Sequence, residues 1–297
     1  MKVLVVIVTY NGRPWLERCL GSVVGNPEAD VYVWDNDSTD GSADFVAARY
    51  PQAKLIRSAE NLGFSIPNNK GMEYALQKGY DYVYLLNQDA WLEPGALEKL
   101  VAAAEAHPEY GVLSPLQYTA DGVSLDSQFA KRVKLPIGSA LTPTPSCAAS
   151  TGHLHEVSFV MAAHWLVPTR VIRRIGSFEE ELFPFWGQDD DWCHVLHFFG
   201  LKIGVLTTAW GVHDRACREE PLEKLVRRNY YTGSLVRLCN VNSPLLINFL
   251  FIILFTLVKA AKYHSTLPFK YFRTICQDLP KVRKRRLLVR ARARYAQ

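Results

Sequence analysis

The sequence predicts an α/β fold with a mostly parallel sheet, followed by a helical C-terminal extension. Three apolar runs, at residues 3–8, 31–34 and 82–86, each end in a polar cluster. Helical patterns separate the runs, and strands that alternate with helices are typical of parallel sheets. Because parallel strands end at one edge, where open α/β sheets bind their ligands, we expect a single site there.

The other elements follow from the same alternation. Glu93-Pro94-Gly95 opens a helix, Gly200 ends another, and residues 118–155 are rich in Ser, Thr, Gly and Pro, which predicts a loop or irregular hairpin. A loop at 210–213 precedes a helical region that starts near 220. Strands are predicted at 3–8, 31–35, 53–57, 81–86, 111–116, 157–168 and 202–206. Helices are predicted at 14–24, 41–49, 66–78, 93–106, 169–175 and 187–200.

Length and cysteine usage narrow the class of protein. A chain of 297 residues can form one large α/β domain plus a smaller C-terminal element. The N-terminal apolar run is too short for a signal peptide with its cleavage site, so we expect a buried strand. The cysteines show neither a CxxC pair nor metal-ligand spacing, which indicates reduced thiols in a cytosolic protein. They are Cys19, Cys147, Cys193, Cys217, Cys239 and Cys276.

Charge is distributed unevenly along the chain. Residues 281–297 hold eight Lys or Arg and no acid, which leaves 26 cations against 29 acids in the first 280 residues. The net charge of +5 therefore comes from this basic tail alone. A solvated tail is the plain interpretation of such a run.

An apolar segment ahead of the tail favours a different interpretation. Residues 245–258 are almost wholly apolar, follow Ser243-Pro244 as a helix start, and precede Lys259 and Lys262. A membrane span needs about 20 apolar residues, so this run is too short to cross comfortably. A buried core helix is one alternative, but a helix in the membrane interface beside a basic anchor fits both features better.

Two polar clusters indicate the chemistry at the predicted sheet edge. Asp35 and Asn36 offer more polar groups than helix capping needs, so they could read a nucleobase edge. Asp89 ends another strand, where a carboxylate suits a divalent cation that bridges two phosphates. An Asp in an ordinary turn is the alternative for Asp89, and the segment lacks both a P-loop lysine and a GxGxxG motif.

Five polar motifs follow one another along the chain: Val8-Thr9-Tyr10-Asn11, Asp35-Asn36-Asp37-Ser38-Thr39-Asp40-Gly41-Ser42, Asn61-Leu62-Gly63-Phe64, Asn87-Gln88-Asp89 and Gln188-Asp189-Asp190-Asp191. This ordered set resembles the inverting glycosyltransferases of family 2 over about residues 1–215. The rhamnosyltransferase-like and galactofuranosyltransferase-like branches are the most similar, because they too carry Asn-x-Asp at the metal position. The resemblance implies a GT-A fold over residues 1–219, with a donor half at about 1–117 and an acceptor half at about 156–219. A membrane-associating helical region would occupy 220–297.

The resemblance also implies roles for single residues. Asp89 and His213, the latter in the expected loop, would ligate Mg²⁺ or Mn²⁺ on the donor diphosphate, and Asp189 would take the acceptor proton. Acceptor contacts are expected from Trp165, Trp186, Asp190 and Asp191. The residues expected to bind a nucleoside diphosphate sugar are Thr9, Tyr10, Asn11, Asp35, Asn36, Asn61, Gly63, Phe64, Asn68, Asn87, Gln88 and Asp89.

Together these features predict a metal-dependent inverting glycosyltransferase. It would move a sugar from a dTDP- or UDP-linked donor to a glycan or lipid-linked acceptor in cell-surface polysaccharide synthesis, at the inner face of the membrane and without nucleic acid. The family's usual arginine after the acid-rich helix is missing around residues 193–195, so the acceptor is not predicted further. A nucleotidyltransferase, for which Gly12-Arg13 hints at a phosphate loop, and a non-catalytic binding protein at the membrane are the alternatives.

Overall fold

The computed structural model of the chain describes residues 1–133, 154–215 and 221–295. Within these residues, nine strands form one mixed sheet. They are β1 (Val3–Thr9), β2 (Ala29–Asp35), β3 (Lys54–Arg57), β4 (Tyr82–Asn87), β5 (Ala90–Leu92), β6 (Tyr110–Tyr118), β7 (Leu154–Val157), β8 (His164–Pro168) and β9 (Lys202–His213).

Helices connect the strands and make up the described C-terminal part of the chain. A π-helical turn, Arg227–Thr232, joins two of them. The helices are α1 (Arg13–Gly21), α2 (Ser42–Arg49), α3 (Ser65–Lys78), α4 (Ala96–Ala106), α5 (Ser127–Val133), α6 (Thr169–Ile175), α7 (Gln188–Phe198), α8 (Leu222–Val226), α9 (Gly233–Cys239), α10 (Leu245–Tyr263) and α11 (Leu267–Tyr295).

The N-terminal half of the sheet is parallel, in the order β3-β2-β1-β4. Beyond β4 the order continues β8-β6-β9-β5, with β8 antiparallel to both of its neighbours and β6 parallel to β9. Strand β1 is almost entirely buried, as expected of a parallel strand covered on both faces. The α/β class with a mostly parallel central sheet and a helical C-terminal region is confirmed.

Strand register brings the predicted polar clusters to one edge. Thr9 lies opposite Asp35 in the β1–β2 pair, and Val8 lies opposite Asn87 in the β1–β4 pair. The last residues of three parallel strands are therefore in line. This is the arrangement that the polar ends of the apolar runs predicted.

Two elements differ from the prediction. Residues 157–168 are not one strand, since β7 pairs with β9 whereas β8 pairs with β4 and β6. The predicted loop at 210–213 is instead the end of β9, because three residues bulge out between Leu206 and Trp210 and the strand then pairs again with β6 and β5. His213 is thus the last residue of a strand rather than a loop residue.

The predicted irregular stretch at 118–155 lies partly outside the described residues. Where it is described, it contains a bridge between Tyr118 and Leu125 and the unpredicted helix α5. Cys19, Cys193, Cys239 and Cys276 are free thiols, whereas Cys147 and Cys217 are outside the described residues.

The chain divides into two compact units. Unit 1 comprises Met1–Gly176 and Leu201–Ala216 and contains the sheet; unit 2 comprises Ser177–Gly200 and Cys217–Gln297. The acid-rich segment that includes α7 therefore groups with the C-terminal helices, not with the sheet as a boundary at 219 predicted. In unit 2 a Cβ at Gly187 would come closer than 3.0 Å to Thr232 and Val236, so α7 begins directly against the start of α9.

Candidate active site

Gln88 ties the end of β1 to the segment after β4. Its Oε1 accepts hydrogen bonds from the Thr9 hydroxyl and the Tyr10 amide, both at 2.8 Å, and its Nε2 donates to the Tyr10 carbonyl. We refer to these bonds as the amide clamp. A Cβ at Gly12 would come closer than 3.0 Å to the clamp, so the glycine is explained by close packing and not by a phosphate loop.

The contacts of Arg13 do not indicate a phosphate-binding loop either. Its guanidinium lies 3.7 Å from the centre of the Phe45 ring, and its backbone amide donates to Asp40. Gly12-Arg13, the sequence hint of a nucleotidyltransferase, is therefore accounted for by packing and capping within unit 1.

Asp35 and Asn36 are both buried after β2, but their polar atoms are used differently. Asn36 Oδ1 accepts from Trp34 Nε1 and the Leu62 amide, and its Nδ2 donates to the Gly63 carbonyl at 2.7 Å. Asn36 thus fixes the loop before α3. Asp35 Oδ1 accepts from the Ser38 amide, whereas its buried Oδ2 has no hydrogen-bond partner among the described residues.

The predicted donor residues before and within α3 form a linked loop. The Asn61 side chain accepts from the Gly63 amide at 2.9 Å, and the buried Asn68 donates to the Phe64 carbonyl at 2.8 Å. Asn11, with φ of 49°, accepts from the Thr39 amide and so connects the ends of β1 and β2. These contacts shape the sheet edge, and Asn61 remains exposed there.

Asp89 and His213 meet at this edge. Asp89 Oδ1 lies 3.6 Å from His213 Nε2, with side-chain exposures of 24% and 7%, because β5 pairs antiparallel with the end of β9. Burial would raise the pKa of Asp89, but the adjacent His213 side chain holds that pKa below its usual value. The carboxylate is therefore anionic and next to an imidazole.

Residues behind this pair were missed in the sequence. His164 is fully buried and bonds to the Tyr84 hydroxyl and the Val212 carbonyl, both at 2.9 Å, which fixes the backbone next to His213. The Asp214 amide donates to the Asp89 carbonyl, and its carboxylate accepts from Trp15 Nε1. The sequence signal for Asp214 is its position directly after His213. His164 has no such signal, because it lies within an ordinary apolar run.

Three acids begin α7 in unit 2, and the structure separates their roles. Asp189 and Asp190 are partly exposed, and the Asp190 amide donates to Asp189 Oδ1 at 3.0 Å. Asp191 is buried, and its Oδ2 accepts from both Nε and an NH2 nitrogen of Arg285, at 3.2 and 2.7 Å. Asp191 is thus committed to an ion pair with the C-terminal helix, which argues against the acceptor contact expected of it.

The predicted aromatic acceptor residues also differ in exposure. Trp165 in β8 is fully buried and donates to the Val160 carbonyl, so it is a core residue and cannot stack on a sugar in this conformation. Trp186 is partly exposed, lies beside the exposed Phe185 and has Lys224 over its ring at 5.7 Å. Trp186 stays a candidate for acceptor contact.

A sheet with a parallel N-terminal half, a polar edge that holds Asp89, and His213 beside it at the end of β9 fits a glycosyltransferase of GT-A fold. Residues 4–144 match the family model described as Glycosyl transferase family 2. The chain is 30% identical over 233 residues to the N-acetylglucosaminyl-diphospho-decaprenol L-rhamnosyltransferase of Mycobacterium tuberculosis, covering 71% of this chain and 76% of that one. The chain therefore belongs to glycosyl transferase family 2, and the predicted family and enzyme class are confirmed.

Two further proteins show how far the similarity extends. The dTDP-rhamnosyl transferase RfbF of Shigella flexneri is 23% identical over 257 residues, covering 82% of each chain. The solved mannosyltransferase PcManGT of Pyrobaculum calidifontis, in complex with GDP-Man and Mn²⁺, superposes with a TM-score of 0.52 at 20% identity. It covers 100% of this chain and 76% of its own. At this level of identity, the similarity to PcManGT shows a shared fold only.

Proposed function

We propose that the protein is a metal-dependent inverting glycosyltransferase that transfers a sugar from a dTDP- or UDP-linked donor to a hydroxyl of a lipid-linked glycan. The observation that carries this proposal is the pairing of Asp89 and His213 at the sheet edge that also holds Asp35. Each of these side chains offers an acceptor or ligand atom where open α/β sheets bind nucleotides.

Asp35 supports the choice of nucleotide. Its buried Oδ2 needs a donor, and an ionised carboxylate can only accept hydrogen bonds. Uracil and thymine can donate to such an oxygen from N3–H and guanine from N1–H, whereas cytosine and adenine can donate only from their exocyclic amino groups. A uridine or thymidine donor satisfies Asp35, and guanosine is the third base to test.

The Asp89 and His213 atoms suit a divalent cation. Carboxylate oxygen and imidazole nitrogen are accepted by Mn²⁺, and Mg²⁺ favours the oxygen and the phosphates. Among the described residues no group of three or more His, Cys, Asp or Glu could hold an ion alone, so diphosphate oxygens and water would complete the set. When bound, the metal would neutralise charge that develops on the leaving diphosphate.

Asp189 is the proposed base. Of the acids that begin α7, Asp191 is held by Arg285, and the sequence resemblance assigns the role of catalytic carboxylate to Asp189. The acceptor hydroxyl oxygen would bond to C1 as the bond from C1 to the diphosphate oxygen breaks, and its proton would pass to the Asp189 carboxylate. Attack from the face opposite the leaving group inverts the configuration at C1.

The relative from Mycobacterium tuberculosis supports a lipid-linked acceptor and a rhamnosyl donor. Its name specifies transfer of L-rhamnose to N-acetylglucosaminyl-diphospho-decaprenol, and RfbF is named for a dTDP-linked rhamnosyl donor. By this similarity we propose a polyprenyl diphosphate-linked saccharide as acceptor and peripheral attachment at the inner face of the cell membrane.

The test is a donor and metal panel on the full chain. UDP-, dTDP- and GDP-sugars are incubated with Mn²⁺, Mg²⁺ or EDTA and a polyprenyl diphosphate saccharide, and nucleoside diphosphate release is measured. We expect release only with metal and a uridine or thymidine donor, and an inverted anomeric proton signal in the product. Metal-independent turnover, or a product that retains configuration, would contradict the proposal.

A further inference from the structure

Helix α10 differs from a surface helix of a water-soluble protein in its outward side, which is apolar, while Phe249, Ile252 and Phe255 pack inward. Its buried residues are Asn248, Ile252 and Thr256, one per turn, and two of the three are polar. Between Leu246 and Val258 its outward face is wholly apolar, with residues that are 41–69% exposed. These outward residues are Leu246, Ile247, Leu250, Phe251, Ile253, Leu254, Leu257 and Val258.

The polar stripe fastens α10 to the rest of unit 2 along its length. Asn248 Nδ2 donates to the Arg237 carbonyl and to the Ser243 hydroxyl, both at 2.7 Å. Two turns later, the Thr256 hydroxyl bonds to the Tyr230 hydroxyl. These bonds are spread over about 12 Å of helix at 1.5 Å per residue. They would break if α10 turned away to cross a bilayer.

The length of the uncharged part of α10 also argues against a span. By length and composition, α10 is the one helix in the described residues that could cross a membrane. Its apolar run of residues 245–258, however, covers only about 21 Å against a hydrocarbon core of about 30 Å. The outward face is too apolar for water, and the inward face is bonded to protein.

We propose that α10 lies in the plane of the membrane, with its outward face inserted into one leaflet of an anionic bilayer. Cations at its margin fit lipid headgroups: Lys259 lies over the rings of Phe255 and Tyr263, and Arg237 lies 3.8 Å from the Phe251 ring centre. Such side chains place their stems along apolar surface and their charge at the headgroups. The inference rests on the proposed function in one respect only: access to a lipid-linked acceptor would explain why the protein attaches to a membrane.

The experiment uses the full chain and a matched variant. Leu250→Ser, Leu254→Ser and Leu257→Ser are combined, since these side chains are 55–62% exposed and touch the proposed lipid face. Val123→Ser, 74% exposed on unit 1, is the control. Flotation is measured with vesicles of phosphatidylcholine, with and without phosphatidylglycerol, at low and high salt.

We expect wild type and control to bind phosphatidylglycerol vesicles, more weakly in high salt, and the triple variant to bind at least about tenfold less. Equal binding by wild type and triple variant would overturn the proposal. The proposal would also be overturned if wild type does not bind vesicles and sediments as a dimer while the triple variant sediments as a monomer. That result would assign the apolar face to contact with a second copy of the chain. Donor hydrolysis by the triple variant should equal that of wild type, so failure of the proposed function is recognised separately.

A second readout separates an in-plane helix from a spanning one. Asn242→Cys and His264→Cys place thiols on exposed positions at the two ends of α10. In inverted vesicles from expressing cells, a membrane-impermeant maleimide should label each of the two cysteine variants more strongly than the parent protein. Labelling at only one of the two positions would contradict the in-plane arrangement.

Discussion

Replacing Arg285 with Met should destabilise unit 2 more than any other single change in the basic tail. Arg285 is 5% exposed and Asp191 is 1% exposed, and both guanidinium bonds go to one carboxylate oxygen. The Arg285 Nε is also 3.8 Å from Glu179, whose pKa is raised by burial and held down by this arginine. Without the cation, a buried carboxylate is left unpaired, which costs about 3–5 kcal/mol.

The neighbouring arginine provides a matched control. Arg286 is equally buried, but it donates to the neutral carbonyls of Leu238, Asn240 and Ser243. Arg286→Met therefore leaves no buried charge, and we expect a smaller loss of about 1–3 kcal/mol. The double variant Arg285→Met with Asp191→Leu removes both charges and should recover part of the stability lost by the single variant.

The loss in Arg285→Met should also depend on pH. Without Arg285, the folded-state pKa of Glu179 should rise further above its unfolded value, because burial then acts unopposed. A folded state that binds more protons than the unfolded state is most stable at low pH and loses that stability as pH rises through the folded pKa. The deficit relative to wild type should thus be smaller at pH 5 than at pH 8.

Urea unfolding followed by circular dichroism and tryptophan fluorescence measures these differences at both pH values. The reasoning is refuted if Arg285→Met costs no more than Arg286→Met, or if its deficit is the same at pH 5 and pH 8. A double variant no more stable than the single one would likewise show that the unpaired charge is not the cause.

Three further predictions concern the active site. Asp189→Asn should lower kcat by about a hundredfold or more with donor Kd near that of wild type; a near-normal rate would transfer the role of base to Asp190. Asp89→Asn should weaken Mn²⁺-dependent binding of UDP or dTDP by about tenfold or more in calorimetry. The control Asp81→Asn, which lies before the start of β4, should leave this binding unchanged. Equal losses in the two variants would indicate damage to the fold rather than loss of a metal ligand. Gly12→Ala should raise the donor KM, because its Cβ would press on the amide clamp, and unchanged kinetics would show that the clamp does not shape the donor site.

The sheet edge was predictable because its information is local. Each apolar run ends at a polar cluster within the same few residues, and parallel pairing then aligns Thr9, Asp35 and Asn87. Helix α6, Thr169–Ile175, also follows from its own residues and was placed at its observed ends. What such patterns leave open is which polar atoms the protein itself uses. Asn36 resembles a base-contacting residue in sequence, yet its amide is bonded to the loop before α3.

The errors arise where distant segments decide the structure. His213 belongs to a strand only because β9 resumes pairing after a bulge, and no residue near 210–213 carries that signal. The burial of Asp191 depends on Arg285, which follows 94 residues later. A run of cations gives no local sign of which members turn inward, so the sequence predicted one uniform basic tail.

The cations of the basic tail therefore lie on two different faces of one helix, α11. Arg285 and Arg286 face inward, where they hold the first turn of α7 and the last carbonyls of α9, and Lys281 pairs with Glu181 and Asp278. Because Arg285 pairs with Asp191 in the first turn of α7, the C-terminal helices and the acid segment belong to one structural unit. The outward cations, such as Arg283 and Lys284, are exposed and free to serve a lipid surface. Under the membrane proposal made for α10, the outward cations of α11 would add contacts to the lipid surface, while its inward face holds the acid segment. Changes to the outward face of α11 should therefore separate the two roles, whereas removal of the tail should abolish both.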